Sequence, residues 1–397
     1  MSTVAPLLDA ENATIEDLEQ NPYPFYAHWR EHAPVVWVPA VEGWMVSRWD
    51  DCEYIGKLEG ATNSESLYSD SFFGRNILTM GGDPHARLRA AVDVPLRPKA
   101  VAKYVDELTR PVAKEYVQRV RELGRFDASK DLLERISVRV VANVMGLSEY
   151  DDDTLQRWFN DLNAGLNNFA GDPEVDARSN RAKREIREHS DRVYPGLVES
   201  PDESILSALF TGQIEGDEPR PLEDVIGTAW VIVLGGFQEP GHSAAASLLG
   251  LLTEPEQYAA VVADPKLVPA AVHEGLRWIA PFGTVQRKAL VDIEVGGVTI
   301  PAGDEMQLAV ASANRDERRY DDPERFDVFR PRQPQASFGY GEHFCAGHFL
   351  GREVARIALE EIVVGLPDLR LDPDRPPVEH GLYVRGVKNL PVVVGDR

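Results

Sequence analysis

The sequence is poor in cysteine, in positive charge and in long apolar runs, and each shortage excludes something. Two cysteines, Cys52 and Cys345, in 397 residues cannot build a disulfide framework, and a chain of this length needs none. That points to a reducing, cytoplasmic setting. Lys and Arg number 42 against 65 Asp and Glu, a formal charge of −23. So acidic a chain makes a poor nucleic-acid binder, because phosphate contacts need clustered cations. No stretch reaches the roughly 18 apolar residues of a membrane span. The nearest, Val225 to Leu252, is interrupted by glycines and polar residues. The opening MSTVAPLLDAENATIEDLEQ has neither the basic nor the apolar region of a signal peptide. Repeats, low-complexity tracts and clear linkers are missing too. With 43% apolar residues, the expectation is one packed, mostly helical domain over 1–397 with a small β region.

Periodicity places the elements. Residues 33–49 alternate and turn at Glu42-Gly43, which reads as a hairpin. Residues 98–124 carry apolar side chains three and four apart and stop at Gly124, a helix with its end marked. Residues 176–193 are charged nearly all round and read as a surface helix with a solvated basic face. From 221 to 252 runs a helix of unusual length, followed by shorter ones near 255–263 and 266–279. Residues 288–310 read as strand, turn at Gly296-Gly297, strand. A last helix covers about 346–364.

FGYGEHFCAGHFLGR (338–352) carries the most chemistry. Glycines at 339, 341 and 347 surround Cys345 and permit close backbone approach to a flat ligand. A cysteine just before a helix sees the positive end of its dipole, which favours thiolate. Taken alone, Cys345 is compatible with a nucleophile, a metal ligand or a structural bystander. Cys52, in DDCEYIG, reads as a structural thiol.

The whole spacing, Phe338-x-x-Gly341-x-His343-x-Cys345-x-Gly347, resembles the haem-ligand signature of the cytochrome P450 family. The resemblance implies a triangular, mainly helical prism with haem b between a long distal helix and a proximal one. It implies Cys345 as the axial thiolate ligand of iron, whose electron donation favours O–O cleavage. It implies haem contacts from Phe338, His343 and Gly347. Other stretches agree in order. Glu274-x-x-Arg277 matches the family's E-x-x-R, and with PERF (323–326) implies a buried Glu274–Arg277–Arg325 network bracing the haem loop. His85 and Arg89, at i and i+4, and Arg287 match residues that hold haem propionates; a pair of carboxylates wants such cations.

LGGFQEPGH (234–242) lies where the family's distal helix crosses the haem. Pro240 has no N–H, so the Gly236 carbonyl loses its helical partner, and a kink is expected. Gly235 and Gly236 then leave a groove for dioxygen, beside which Gln238 and Glu239 relay protons through water. The usual Ala-Gly-x-Asp/Glu-Thr is altered here: the acid is shifted one place and no hydroxyl follows. Proton delivery is therefore either rewired through Gln238, Glu239 and water or replaced by use of preformed peroxide. A peroxygenase would normally place an arginine near the groove, and 234–242 has none.

This run, with EGLRWIAP (274–281) and NPYPFY (21–26), resembles one subgroup, the guaiacol-type aromatic O-demethylases. The resemblance implies O2 as co-substrate and NAD(P)H electrons through a reductase carrying FAD and a 2Fe–2S centre, or a ferredoxin. A small methoxy-aromatic would become a phenol or catechol plus formaldehyde. The implied pocket comprises Phe72, Phe73 and Leu78 before the haem-contacting helix, Leu166 and Phe169 on the lid, and Val231 and Leu234 on the distal helix. Phe282, Thr284, Val285, Tyr383 and Val384 complete it. The alternatives are hydroxylation of another small hydrophobic molecule, or a haem- or gas-binding protein without turnover.

Overall fold

Helices form where apolar residues recur three and four apart, and they end where the sequence supplies a stop. In the computed structural model, which describes residues 8–58, 60–63, 72–168, 171–212 and 218–395, residues Pro98–Leu123 form one helix. Pro98 sits in its first turn, where no N–H is needed, and Gly124 leaves it at φ 69°. The apolar run near residue 234 becomes a 32-residue helix, Leu222–Thr253, that continues through Pro240. The chain folds into two compact units. One holds Met1–Ser64, Ala245–Cys345 and Leu371–Pro391; the other holds Glu65–Ala244, Ala346–Arg370 and Val392–Arg397.

The second unit is helical. Helix His348–Gly365 packs along Pro98–Leu123. A Cβ at Gly365 would meet Val117 Cγ1 at 2.5 Å, so the glycine sets how near the helices come. Arg110 clamps them, donating to Glu361 at 2.7 Å and Glu360 at 2.9 Å. Helices Asp152–Leu166 and Pro173–Glu199 form an antiparallel pair. The basic run of the latter, expected to be solvated, is partly spent across this pair. Glu185 accepts from Arg157 and Trp158, and the half-exposed Arg178 and Arg181 both lie 3.6 Å from Asp161.

The first unit holds the main sheet, in the order β1 (Val35–Val38), β2 (Gly43–Val46), β8 (Glu305–Leu308), β5 (Val285–Ala289) and β3 (Thr62–Asn63), while β4 (Arg125–Asp127) belongs to the second unit. The hairpin β1 (Val35–Val38) and β2 (Gly43–Val46) turns with Glu42 at φ 49°. Strand β2 then pairs in parallel with β8 (Glu305–Leu308), Trp44 opposite Met306. Strand β8 pairs antiparallel with β5 (Val285–Ala289), which pairs with β3 (Thr62–Asn63). Gly296 and Gly297, both at positive φ, turn β6 (Ile293–Val295) into β7 (Val298–Ile300). Trp49, Ile55, Met306, Leu308 and Tyr320 form one core against this sheet, and Tyr26, Trp29 and Met45 anchor another. Among the described residues no helix is long and apolar enough to cross a membrane.

The charged brace differs from expectation. Arg277, 1% exposed, donates Nε to Glu274 at 2.8 Å and Nη2 to its other oxygen at 2.7 Å. Its other three donors reach the carbonyls of Asn314, Pro323 and Arg325. The third arginine is Arg330, not Arg325: Arg330 Nε lies 3.0 Å from Glu274. The 322–330 loop turns the carbonyl of Arg325 inward, while its half-exposed guanidinium lies 3.8 Å from Glu254. Arg330→Ala leaves Glu274 one cation short in a buried site, so it should cost about 3 kcal/mol in urea unfolding. Arg325→Ala should stay within about 0.5 kcal/mol. Equal costs would return Arg325 to the network.

Candidate active site

Within the first unit the cysteine loop is closed by its own backbone. The Cys345 N–H donates to the Phe338 carbonyl at 2.9 Å and that of Phe344 to Gly341 at 3.1 Å. Gly339 and Gly341 adopt φ 73° and 63°, which side chains rarely do. Gly341 is also required by packing. A Cβ there would meet the Gly56 carbonyl oxygen at 2.5 Å, and one at Gly56 would meet the Tyr340 side chain at 2.6 Å. The close approach that the glycines permit is thus in part to helix Trp49–Gly56. The Cys345 side chain is exposed, three residues before helix His348–Gly365, whose N-cap is Gly347. Phe338 and Phe344 flank the loop, ring centroids 6.3 Å apart.

The two cysteines live in opposite surroundings. Cys52 is fully buried in the sheet-side core and its Sγ lies 3.1 Å from the Val46 carbonyl. Burial pushes its thiol well up, so it stays protonated.

Arg287, on β5, and His343 line one cleft with Gly56, Leu58, Thr62, Asn63 and Glu342. Arg287 is buried, and burial pushes it down to about 10, still cationic at neutral pH. Its recorded hydrogen bond runs from Nη1 to the Gln286 carbonyl at 2.8 Å. His343 lies 3.6 Å from Glu342. Also in this unit, Phe282 bridges Val384, and Thr284 donates to the Gln307 side chain at 3.1 Å. Val285 packs on the sheet-side core, and Tyr383 and Val384 are half-buried on the turn after Gly381.

In the second unit His85 is buried on helix Gly82–Leu96, and Arg89 on the same helix pairs with Asp93 at 2.6 Å. The glycines of the long helix are not equivalent. A Cβ on Gly235 would meet nothing within 4 Å. One on Gly236 would strike Val141 at 2.7 Å, and one on Gly241 would press on Leu133 and Glu134. The space expected beside both Gly235 and Gly236 therefore lies at Gly235 alone; Gly236 is where helix Glu134–Met145 packs. The carbonyl that Pro240 strands has a substitute donor, for Ser137 Oγ lies 3.4 Å from the Gly236 oxygen. This explains how the helix continues. Gln238 is buried, Glu239 half-buried, and the Glu239 carbonyl accepts from Ser243 at 2.8 Å.

Among the remaining second-unit residues, Phe72 and Phe73 make an edge contact at 4.7 Å. Lys183 lies 4.1 Å over Phe72 and donates to its carbonyl at 2.9 Å. Leu234 is buried, Val231 and Leu166 half-buried and Leu78 exposed; Phe169 lies outside the described residues. Ser137, Val141 and Arg330 were not foreseen. Nothing local in the sequence marks a serine on one helix as the partner of a carbonyl 99 residues away.

Comparison with known proteins fits this geometry. The family model described as Cytochrome P450 matches residues 259–365. The chain is 30% identical to 6-deoxyerythronolide B hydroxylase of Saccharopolyspora erythraea, over 96% of this chain and 98% of that one. It is 29% identical to cytochrome P450 monooxygenase PikC of Streptomyces venezuelae, over 98% and 94%. The structure of the versatile cytochrome P450 enzyme CYP109B1 from Bacillus subtilis superposes with a TM-score of 0.82 at 25% identity, covering 94% of this chain and 100% of that one.

Ser137→Ala should cost about 1 kcal/mol, because it strands a half-buried carbonyl. In a Pro240→Ala background residue 240 regains an N–H for that carbonyl, so the same substitution should cost measurably less, with a coupling of roughly 0.5 kcal/mol or more. Urea unfolding of the four proteins measures this; strict additivity would remove the substitute-donor account.

Proposed function

The chain belongs to the cytochrome P450 family of haem-thiolate monooxygenases, and from that premise we propose that it oxidatively O-demethylates a small guaiacol-like aromatic. We take 1–397 as one catalytic domain. The balance is that of a monooxygenase. ArOCH3, O2, NAD(P)H and a proton give ArOH, formaldehyde, water and NAD(P)+; oxygen enters a methyl C–H bond and the hemiacetal collapses. Bound haem supplies the oxygen activation. The electrons come through a reductase carrying FAD and 2Fe–2S, or through a ferredoxin.

The residues suit that cofactor. Cys345, exposed on a loop held by the Phe338 carbonyl, would supply the thiolate that ligates the haem iron. Arg287 is the argument for the haem acid groups. A guanidinium has five N–H donors, and among the described residues this buried one donates only to the Gln286 carbonyl, in a cleft shared with His343 and Glu342. Arg287 and His343 would hold a propionate, and by resemblance to the family so would His85 and Arg89.

The long helix carries the substrate reading. Gly235 opens space on one side while Gly236 and Gly241 are closed by packing, so the widening is directed and the helix does not collapse into it. A flat ring fits beside such a face, with Val231, Leu234, Phe72, Phe73, Leu78 and Leu166 as apolar wall; by resemblance to the subgroup, Phe169, Phe282, Thr284, Val285, Tyr383 and Val384 would also contact the substrate. Gln238 and Glu239, without a following alcohol, hold and pass protons. A second reading is hydroxylation of a different hydrophobic compound. It is favoured by the near full-length likeness to a relative named for hydroxylating 6-deoxyerythronolide B.

Cys345→Ser should abolish the thiolate-type absorbance of the reduced carbon-monoxide complex. In the unaltered protein at least one of guaiacol, veratrole, anisole, a methoxybenzoate or an alkylguaiacol should shift the ferric Soret band to the blue and release formaldehyde with the reductase. The small Leu166 should favour the alkylguaiacol over guaiacol. A protein with the thiolate spectrum that responds to none of these compounds would lose the O-demethylase reading and keep the hydroxylase one.

A further inference from the structure

One residue past Val384, on the first unit, an arginine is almost wholly buried. Arg385 is 2% exposed, and each of its five donors has an acceptor. Nε reaches the Tyr23 hydroxyl at 3.3 Å. Nη1 reaches the carbonyls of Gly381 at 3.0 Å and Glu19 at 3.2 Å. Nη2 reaches the Gln20 carbonyl and the Glu379 carboxylate, both at 3.4 Å. Three of the five are backbone carbonyls, and two of those end helix Ile15–Gln20. A cation is favoured at a helix C-terminus. Yet burying a guanidinium against one distant carboxylate is an expensive way to gain stability.

What the arrangement does provide is geometry. Gly381, at φ 112°, begins a turn so tight that a Cβ on it would meet the Val384 carbonyl oxygen at 2.0 Å. One side of this turn is pinned by backbone: Gly283 N–H to Tyr383 at 2.8 Å, Arg385 N–H to Pro281 at 2.9 Å, and the bridge of Phe282 with Val384. The other side is pinned by Gly381, whose N–H donates to Glu19 at 2.8 Å and whose carbonyl accepts from Arg385. The guanidinium thus ties both ends of the turn to the N-terminal helices.

We propose that Arg385 is a positioning residue for substrate: it locks the Gly381–Val384 turn and so fixes where Tyr383 and Val384 stand. This rests on the reading that those two side chains line the substrate pocket. Binding energy depends on walls held in place beforehand, and a displaced wall costs affinity without touching the iron ligand.

The test uses the holoenzyme and two haem-iron ligands, so it needs no knowledge of the natural substrate. Imidazole reports on the iron alone; 4-phenylimidazole also reports on the pocket wall. Arg385→Lys replaces a planar fork by a single ammonium. It should weaken 4-phenylimidazole binding about tenfold, the order expected when a supporting contact shifts a binding wall. Imidazole affinity and the carbon-monoxide thiolate band should not change. Arg385→Ala should behave likewise and recover with millimolar ethylguanidinium, because a cleft of about 540 Å³ lined by Gln20, Asn21, Tyr23, Trp278 and Glu379 opens beside Arg385. If the alanine variant does not fold, the lysine variant carries the comparison. Tyr383→Ala separates the two ideas. If it leaves 4-phenylimidazole binding unchanged, the pocket reading fails and the proposal with it. If Tyr383→Ala weakens binding while Arg385→Lys does not, the pocket stands and the positioning role is wrong. Equal loss for both ligands, or a lost thiolate band, would make Arg385 a merely structural residue.

Discussion

A guanidinium withdrawn from water must find acceptors for its donors, and much of the first unit is arranged around that demand. Arg277 fills all five: two on Glu274 and three on the carbonyls of Asn314, Pro323 and Arg325. These carbonyls belong to loops that have no sheet or helix to satisfy them, so the arginine gives irregular chain a reason to hold one shape. Asn314 continues the chain of contacts, accepting from the Ala336 N–H at 2.7 Å and donating to Ser337 at 2.8 Å. Ser337 in turn precedes Phe338, whose carbonyl receives the Cys345 N–H. The brace reaches the cysteine loop through hydrogen bonds and one peptide link.

Against that standard Arg287 is the exception. Arg277 and Arg385 are saturated from within the protein, whereas among the described residues Arg287 donates to one carbonyl, and the charge of Glu342 in the same cleft only partly offsets the burial that disfavours its cationic form. A buried charge left so poorly served is costly. In a family that binds haem, a carboxylate brought by the cofactor is the natural complement. The same comparison separates bracing arginines from binding ones, which sequence spacing alone does not do.

Legibility in the sequence followed the range of the interaction. The hairpin at 35–46, the helix ended by Gly124 and the long helix each depend on neighbours within a few residues, and each was readable. The parallel pairing of β2 with β8 joins residues about 260 apart and left no local trace. The cysteine loop was readable as a motif, but one reason for Gly341, the Gly56 carbonyl against it, was not. Arg325 and Arg330 lie in one short loop, and periodicity does not say which side chain turns inward. Pro240 gave half its consequence: the stranded carbonyl was foreseeable, its rescue by Ser137 was not. Substrate choice leaves no local trace of this kind, because it depends on the combined shape of many side chains.

The two cysteines show why residue type settles little without surroundings. Cys52 sits where no water, cation or helix end stabilises a thiolate, beside a carbonyl that accepts from a thiol, and burial holds the proton on. Cys345 sits on an exposed loop whose glycines take backbone angles that side chains disfavour, just ahead of a helix N-terminus. The chain therefore confines thiolate chemistry to one of two identical side chains by burying the other. A sulfur must be deprotonated to ligate a metal, and burial removes Cys52 from that role.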